Sequence, residues 1–364
     1  FIMTKKQNDD HSDEITEGQH PYASYRDEKG RFHNNHRASK QGVMKSMGIF
    51  YRFFTEKKVN TIPEKDIPVK PLTPDLLQQL DSDKLHIIKL GHSSLLLKVY
   101  GKFWLLDPVF SLRASPFSFA GPKRFHETPI SLEDLPEIDR VIISHNHYDH
   151  LDKAAVKILA SKTNQFYVPI GVDDELKRWK VPAHKINAFD WWQEHTIEEG
   201  MLAFTPTQHF SGRAFRDSNK TLWGSWVIQV RENMLFFSGD SGYFPGFKHI
   251  GDRYGPFHLT MVETGAYDVD WAHIHMQPEQ SVQAHIDLKG QVMMPIHNGT
   301  FDLAFHPWYE PLERAQAHAA KHDVKMVTPI VGEVLTLDCL NQSRSWWKDL
   351  TNPALVDLKL STDT

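Results

Sequence analysis

The chain has 364 residues, enough for one large domain or two small ones, with 40% hydrophobic and 24% charged residues, the proportions of an ordinary globular protein. A net charge of -5 leaves no basic surplus for nucleic acid. The single cysteine, Cys339, excludes an internal disulfide framework and suits a reducing compartment such as the cytoplasm; it lies far from every motif and is expected in the core. No apolar run reaches membrane-spanning length and no secretory leader is recognisable.

Residues 1 to about 40 are polar and charged, which predicts an irregular lead. Val43, Met44, Met47, Phe50, Tyr51 and Phe54 then recur at helical spacing, with Lys45 and Arg52 off the stripe. Two arrangements fit such a helix. It packs on its own domain or on a second subunit of a homodimer, or it lies in a membrane interface as a peripheral contact. Thr61 to Asp83 carries Pro63, Pro68, Pro71 and Pro74, the composition of an extended linker. Residues 1–84 therefore read as an N-terminal extension, 85–340 as the main domain and 341–364 as a C-terminal tail.

From Leu85 the texture changes to short strands: His86 to Leu90, Ser93 to Val99 and Phe103 to Leu106, with turns at Gly91 and Gly101. Asp107, before Pro108, is either a carboxylate that supports a metal ligand or a plain turn residue. The loop from Ser111 to Ile130 is long for a compact domain, which suggests a functional loop. In it Lys123 and Arg124, beside Phe125, are candidate substrate contacts; a solvated surface loop is the alternative.

Val141-Ile142-Ile143 reads as a buried strand that opens into Ser144-His145-Asn146-His147-Tyr148-Asp149-His150. Residues two apart share a face of extended chain, so His145 and His147 can address one ion. Asp149 and His150 lie past that point, where the loop can turn them to a second ion. Asp152 is placed to cap a helix from Lys153 to Ala160. A lone histidine pair among 22 histidines means little. Four ligand-type side chains within six positions, each needing a partner if buried, point to metal.

The same design recurs downstream. Leu202-Ala203-Phe204-Thr205 leads to His209, Met234 to Phe237 leads to Gly239-Asp240, and Gln291 to Ile296 ends at His297. Each apolar run delivers one metal-type side chain at or just past its end. Candidate helices follow over Asp174 to Trp179, Pro278 to Asp287 and Pro311 to His322, with prolines at first-turn positions in the last two. Trp191-Trp192 is expected in the core or a pocket wall.

The segment 144–150 resembles the HxHxDH signature of the metallo-β-lactamase superfamily, with His209, Asp240 and His297 in that family's order. The flanking segments are similar to the N-acylphosphatidylethanolamine-hydrolysing phospholipase D group. They include Gly30-Arg31-Phe32, Asp107-Pro108-Val109-Phe110, Arg113 to Pro116, Gly121 to Phe125, Leu222 to Trp226 and Gly255-Pro256-Phe257. The resemblance runs from about Gly30 to about Leu335. Two positions depart from it: Asn298 stands where tryptophan is expected, and Glu263 where an apolar residue is expected.

The resemblance implies an α/β fold, the αββα sandwich of two mixed sheets flanked by helices. It implies that His145, His147 and His209 hold one ion, that Asp149, His150 and His297 hold the other, and that Asp240 bridges them. Histidine and carboxylate without thiolate suit two zinc ions, and are compatible with iron or manganese. Two ions about 3.5–4 Å apart share a water and lower its pKa from about 15.7 towards 7, so Asp149 and Asp240 belong to the catalytic set. A structural zinc instead closes four ligands. By the same resemblance His275, just ahead of a helix, contacts phosphate or donates a proton, a structural helix-start histidine being the alternative. Tyr148, inside the metal loop, assists substrate binding or packs. The implied activity is a phospholipase D acting on N-acylphosphatidylethanolamine through a metal-bridged hydroxide. The alternative is a lactonase or another ester or phosphodiester hydrolase acting on a small molecule.

Overall fold

The central strands of this protein are mostly apolar, because both of their faces are covered. In the computed structural model, which describes residues 22–35, 43–341 and 344–351, a short hairpin of β1 (Tyr25–Arg26) and β2 (Phe32–His33) precedes α1 (Val43–Thr55) and α2 (Pro74–Gln79). Next come β3 (Leu85–Gly91), β4 (Ser94–Val99), β5 (Lys102–Leu106) and β6 (Ile138–Ile142), then α3 (Lys153–Leu159), β7 (Thr163–Pro169), α4 (Val172–Arg178) and β8 (Ile186–Phe189). The second half supplies β9 (Glu194–Ile197), β10 (Gly200–Thr205), β11 (Ser225–Val230), β12 (Asn233–Phe237), α5 (Gly246–Tyr254) and β13 (Phe257–Glu263). It continues through α6 (Pro278–Asp287), β14 (Gly290–Ile296), α7 (Glu310–Lys321), β15 (Lys325–Met326), β16 (Val334–Thr336) and α8 (Lys348–Thr351).

Two seven-stranded sheets result, in the orders β16-β3-β4-β5-β6-β7-β8 and β15-β14-β13-β12-β11-β10-β9. Each is antiparallel at one side and parallel at the other. All positions of β3 and β4 are buried, and their side chains divide by alternation between two cores. Ile87, Leu95, Leu97, Trp104 and Leu106 face the second sheet, meeting Phe204, Trp226 and Phe237. Ile88, Leu96, Leu105, Val141 and Phe166 face outwards against Val156 and Leu159 of α3 and Leu176 of α4. On the other sheet α5, α6 and α7 contribute Phe247, Val282 and Ala315. This is the αββα sandwich.

Strand direction places the site. β3, β5 and β6 run the same way in the first sheet, and β10, β12, β13 and β14 share a direction in the second. The segments that follow them emerge at common edges of the sandwich, and those segments carry the histidines and carboxylates.

Two expectations, the extended linker and the buried cysteine, need correction. The proline-rich stretch is not extended throughout, because Thr73 accepts a hydrogen bond from the Leu76 N–H (3.1 Å) and Pro74 sits in the first turn, so α2 forms within it. Cys339 is exposed rather than buried. Beyond residue 340, Trp346 and Trp347 pack with Ile67, Trp308 and Leu312, and the Trp347 indole donates to Glu313 (2.7 Å). One side of α1 packs on its own domain: Phe53 stacks on Trp271 with centroids 6.0 Å apart, and Arg52 pairs with Asp268 at 2.9 Å. Its Met47, Tyr51 and Phe54 are exposed. Among the described residues no helix is long and apolar enough to cross a membrane.

Asp152 caps α3 as its position predicts, accepting from the N–H groups of Ala154 (3.0 Å) and Ala155 (3.3 Å). Its other oxygen accepts from the N–H groups of Phe110 (3.0 Å) and Ser111 (2.8 Å), tying the 111–130 loop to the metal loop. Asp152→Ala is expected to cost about 2 kcal/mol, read as a lowered denaturation midpoint, because buried donors on two segments lose their acceptor.

Candidate metal centre

The loop after β6 is held in shape by a residue at the end of β5. Asp107 is fully buried, with φ +41°. It accepts from the Ser144 N–H (2.7 Å) and hydroxyl (2.6 Å), and its Oδ2 lies 2.7 Å from Nδ1 of His150. The carboxylate thus orients the candidate ligand His150, in line with the first of the two readings of Asp107. His145 Nδ1 is engaged by the Ser144 hydroxyl (2.8 Å) and His209 Nδ1 by the Ile274 carbonyl (2.9 Å). With Nδ1 occupied, each of these rings turns its Nε2 inward.

Two groups of donors converge. His145, His147, His209 and Asp240 form one; Asp149, His150, His297 and His92 form the other, with one donor atom from each member lying within 4.8 Å of the rest of its group. Asp240 faces both. Its Oδ2 lies 3.6 Å from Nε2 of His145, 3.6 Å from Nε2 of His209 and 3.1 Å from Nε2 of His297, while Oδ1 lies 3.1 Å from Nε2 of His150. Asp149 Oδ2 is 3.3 Å from Nε2 of His150 and 3.2 Å from Nε2 of His297.

The electrostatics point to a cationic occupant. Burial pushes His145 and His209 well below the usual imidazole range, so both stay neutral lone-pair donors. Burial alone would raise Asp149 and Asp240, but the surrounding imidazoles, His150 foremost, hold both well below the ordinary carboxylate value. Conversely, His150 rises well above its usual value and His297 to about 10; burial opposes this, and the Asp240 and Asp149 carboxylates outweigh it. The carboxylates demand positive charge at a point where Nε2 of His145, Nε2 of His150 and Oδ1 of Asp240 are buried without an aligned hydrogen-bond partner. Such atoms are costly unless a cation engages them, so the residues fit a pair of metal ions. Neutral imidazole and carboxylate are ligands for zinc, iron or manganese alike.

Other predicted residues lie elsewhere. The Tyr148 hydroxyl donates to the Arg213 carbonyl (2.9 Å), and the Arg213 guanidinium sits 4.0 Å above its ring. Lys123 is exposed on its loop, bridged to Arg113. Arg124, expected to face substrate, is buried and donates to the carbonyls of Ser111 (3.0 Å) and Val109 (2.7 Å), so it braces the loop instead. His275 does reach the centre, its ring 5.2 Å from those of His209 and His297. Asn298 is turned away to Lys89, whose ammonium donates to Oδ1 (3.1 Å).

Sequence reading missed two supports. His92, in the β3–β4 turn, is buried with its Nε2 2.8 Å from Asp149; nothing distinguishes it in the sequence from other turn histidines. Asn34 grips the backbone of His209 from both sides, donating to its carbonyl (2.7 Å) and accepting from its N–H (3.1 Å). The Gly30-Arg31-Phe32 resemblance just before it was the available signal.

The family model described as a beta-lactamase superfamily domain matches residues 104–298. This chain belongs to the metallo-β-lactamase superfamily. It is 40% identical over 282 residues to an uncharacterised protein of Mycobacterium tuberculosis, covering 76% of each chain. To the N-acyl-phosphatidylethanolamine-hydrolyzing phospholipase D 1 of Caenorhabditis elegans it is 32% identical over 289 residues, covering 74% of this chain and 80% of that one. Among solved structures, Igni18, a metallo hydrolase from the archaeon Ignicoccus hospitalis, superposes with TM-score 0.53 at 21% identity, over 70% of this chain and 98% of that one. The superfamily fold implies a dinuclear metal site, for which this metallo-hydrolase has both ligand groups.

Metal analysis of purified protein is expected to find close to two ions per chain, and Asp240→Asn to lower that number. Asp107→Ala, which removes the partner of His150 Nδ1, is expected to weaken metal affinity about 10- to 100-fold by freeing that ring; competition against a chelator measures it.

Proposed function

We propose that this metallo-hydrolase is a zinc-dependent phosphodiesterase that cleaves N-acylphosphatidylethanolamine to phosphatidic acid and an N-acylethanolamine. The observation that carries the reading is a groove of about 720 Å³ that shares Tyr148 and Leu151 with the metal loop. Leu112, Pro116, Phe117 and Trp179 give it apolar walls, and Lys153, Lys157 and Arg213 line it with cations. A phosphodiester carrying acyl chains needs that pairing of apolar wall and positive charge. The likeness to the nematode phospholipase supports the same substrate, and the exposed Met47, Tyr51 and Phe54 of α1, with Phe117 and Phe119, suit contact with a lipid surface.

Zinc held by His145, His147, His209, Asp149, His150, His297 and the shared Asp240 would supply Lewis-acid stabilisation of a phosphoryl oxygen and acidify water. The remaining work falls to this chain. Buried Asp107, Ser144 and His92 hold ligands in place, so that little reorganisation accompanies the reaction. Tyr148 and Arg213 form the groove side of the metal loop and orient the headgroup. Water adds to phosphorus as the bond to the ethanolamine oxygen breaks, and His275 holds a proton at that leaving oxygen. No serine or cysteine nucleophile is required.

Metal-loaded enzyme incubated with the N-acyl lipid in mixed micelles is expected to release phosphatidic acid and the N-acylethanolamine, identified by mass. Release of free fatty acid would mean attack at a carbonyl. Brisk lactone opening without lipid turnover would make the protein a lactonase.

A further inference from the structure

Glu263 closes β13 with its side chain fully buried, where the resemblance leads one to expect an apolar residue. A carboxylate in such a place is costly unless something holds it. Oε1 accepts from the N–H of Met276 at 3.1 Å and lies 3.3 Å from Nδ1 of His275, with the Ser241 N–H at 3.4 Å. Oε2 is buried without a partner. His275 lies in the loop that leads into α6, and one of its ring nitrogens groups with Asp240 and His297 within 4.8 Å. Nδ1 is therefore tethered to a carboxylate, while the ring itself stands beside those of His209 and His297 at the centre.

We propose that Glu263 is a positioning residue for the hydrolytic reaction: it fixes the ring and tautomer of His275 so that Nε2 meets the leaving oxygen. The inference rests on the phosphodiesterase reading for the identity of that oxygen. An untethered imidazole samples flipped rings and both tautomers, so only part of its population presents the correct nitrogen. A carboxylate behind Nδ1 removes that freedom, as carboxylates behind histidines do elsewhere. An apolar residue at position 263 would offer no acceptor.

Although it leaves the Met276 N–H without its acceptor and so lowers the denaturation midpoint, Glu263→Leu is expected to fold at assay temperature. It should keep its two metal ions. Turnover of phosphodiesters with alkyl leaving groups should fall about 100-fold, with KM changed less than about twofold. A nitrophenyl phosphodiester, whose leaving group needs no help, should be hydrolysed at near the wild-type rate. Glu263→Gln, whose amide oxygen accepts the same N–H, should recover most of the alkyl activity. Combining Glu263→Leu with His275→Asn should be no worse than His275→Asn alone. Nitrogen-15 spectra of the metal-loaded protein should show one His275 tautomer in the wild type and in Glu263→Gln, and a mixture in Glu263→Leu. Equal losses across leaving groups, an unchanged tautomer in Glu263→Leu, or lost metal would overturn the assignment. If the wild type cleaves carboxylic esters and no phosphodiester, the substrate reading fails alone; the tautomer and an alkyl-versus-nitrophenyl ester comparison then decide Glu263.

Discussion

The centre depends on a carboxylate that never faces it. Asp107 sits at the end of β5, wholly buried, and binds Ser144 and His150 at once. Through Ser144 its grip extends to His145, so one side chain orients a ligand in each of the two groups. Burial alone drives the Asp107 carboxyl upward against these partners, and a buried acid of this kind is tolerable only while every oxygen is engaged. Folding and the pre-alignment of the ligands are therefore one event.

The reason the site assembles from segments almost 200 residues apart is directional. Strands that share a direction end at the same edge, and the residues that follow them inherit that proximity. Asp107 and the 144–150 loop follow first-sheet strands; His209, Asp240, Glu263 and His297 follow or finish second-sheet strands. Trp226 ties the two halves, its indole donating to the Ile143 carbonyl (2.8 Å) immediately before the metal loop.

Much of this was legible in the sequence for physical reasons. Metal ligands must be deprotonable side chains of few types, and those types clustered at apolar strand ends, so the seven candidate positions could be named from sequence, and the fold brings their donor atoms together. The Asp152 cap announced itself by its place before a helical pattern. What could not be read were contacts that cross the chain. Arg124 looked like a free cation because sequence shows its charge and not the carbonyls of Val109 and Ser111 waiting for it. His92 and Asn34 act only through partners more than 50 residues away. Cys339 was expected inside from its type, yet it falls on an exposed 3-10 turn.

The grip of Asn34 on His209 has a consequence for what counts as the unit of this fold. The hairpin of β1 and β2 lies some fifty residues ahead of the sandwich, in a stretch that composition would discard as a leader. The Phe32 ring is nonetheless buried in the main core, and its N–H donates to the Asn219 carbonyl (2.8 Å). Asn34 then reaches His209, a candidate ligand on the far sheet. A shortened gene beginning at the first sandwich strand would encode both sheets and every candidate ligand, yet lack the peg that keeps His209 still. Whoever transplants this catalytic scaffold must carry the peg along with it.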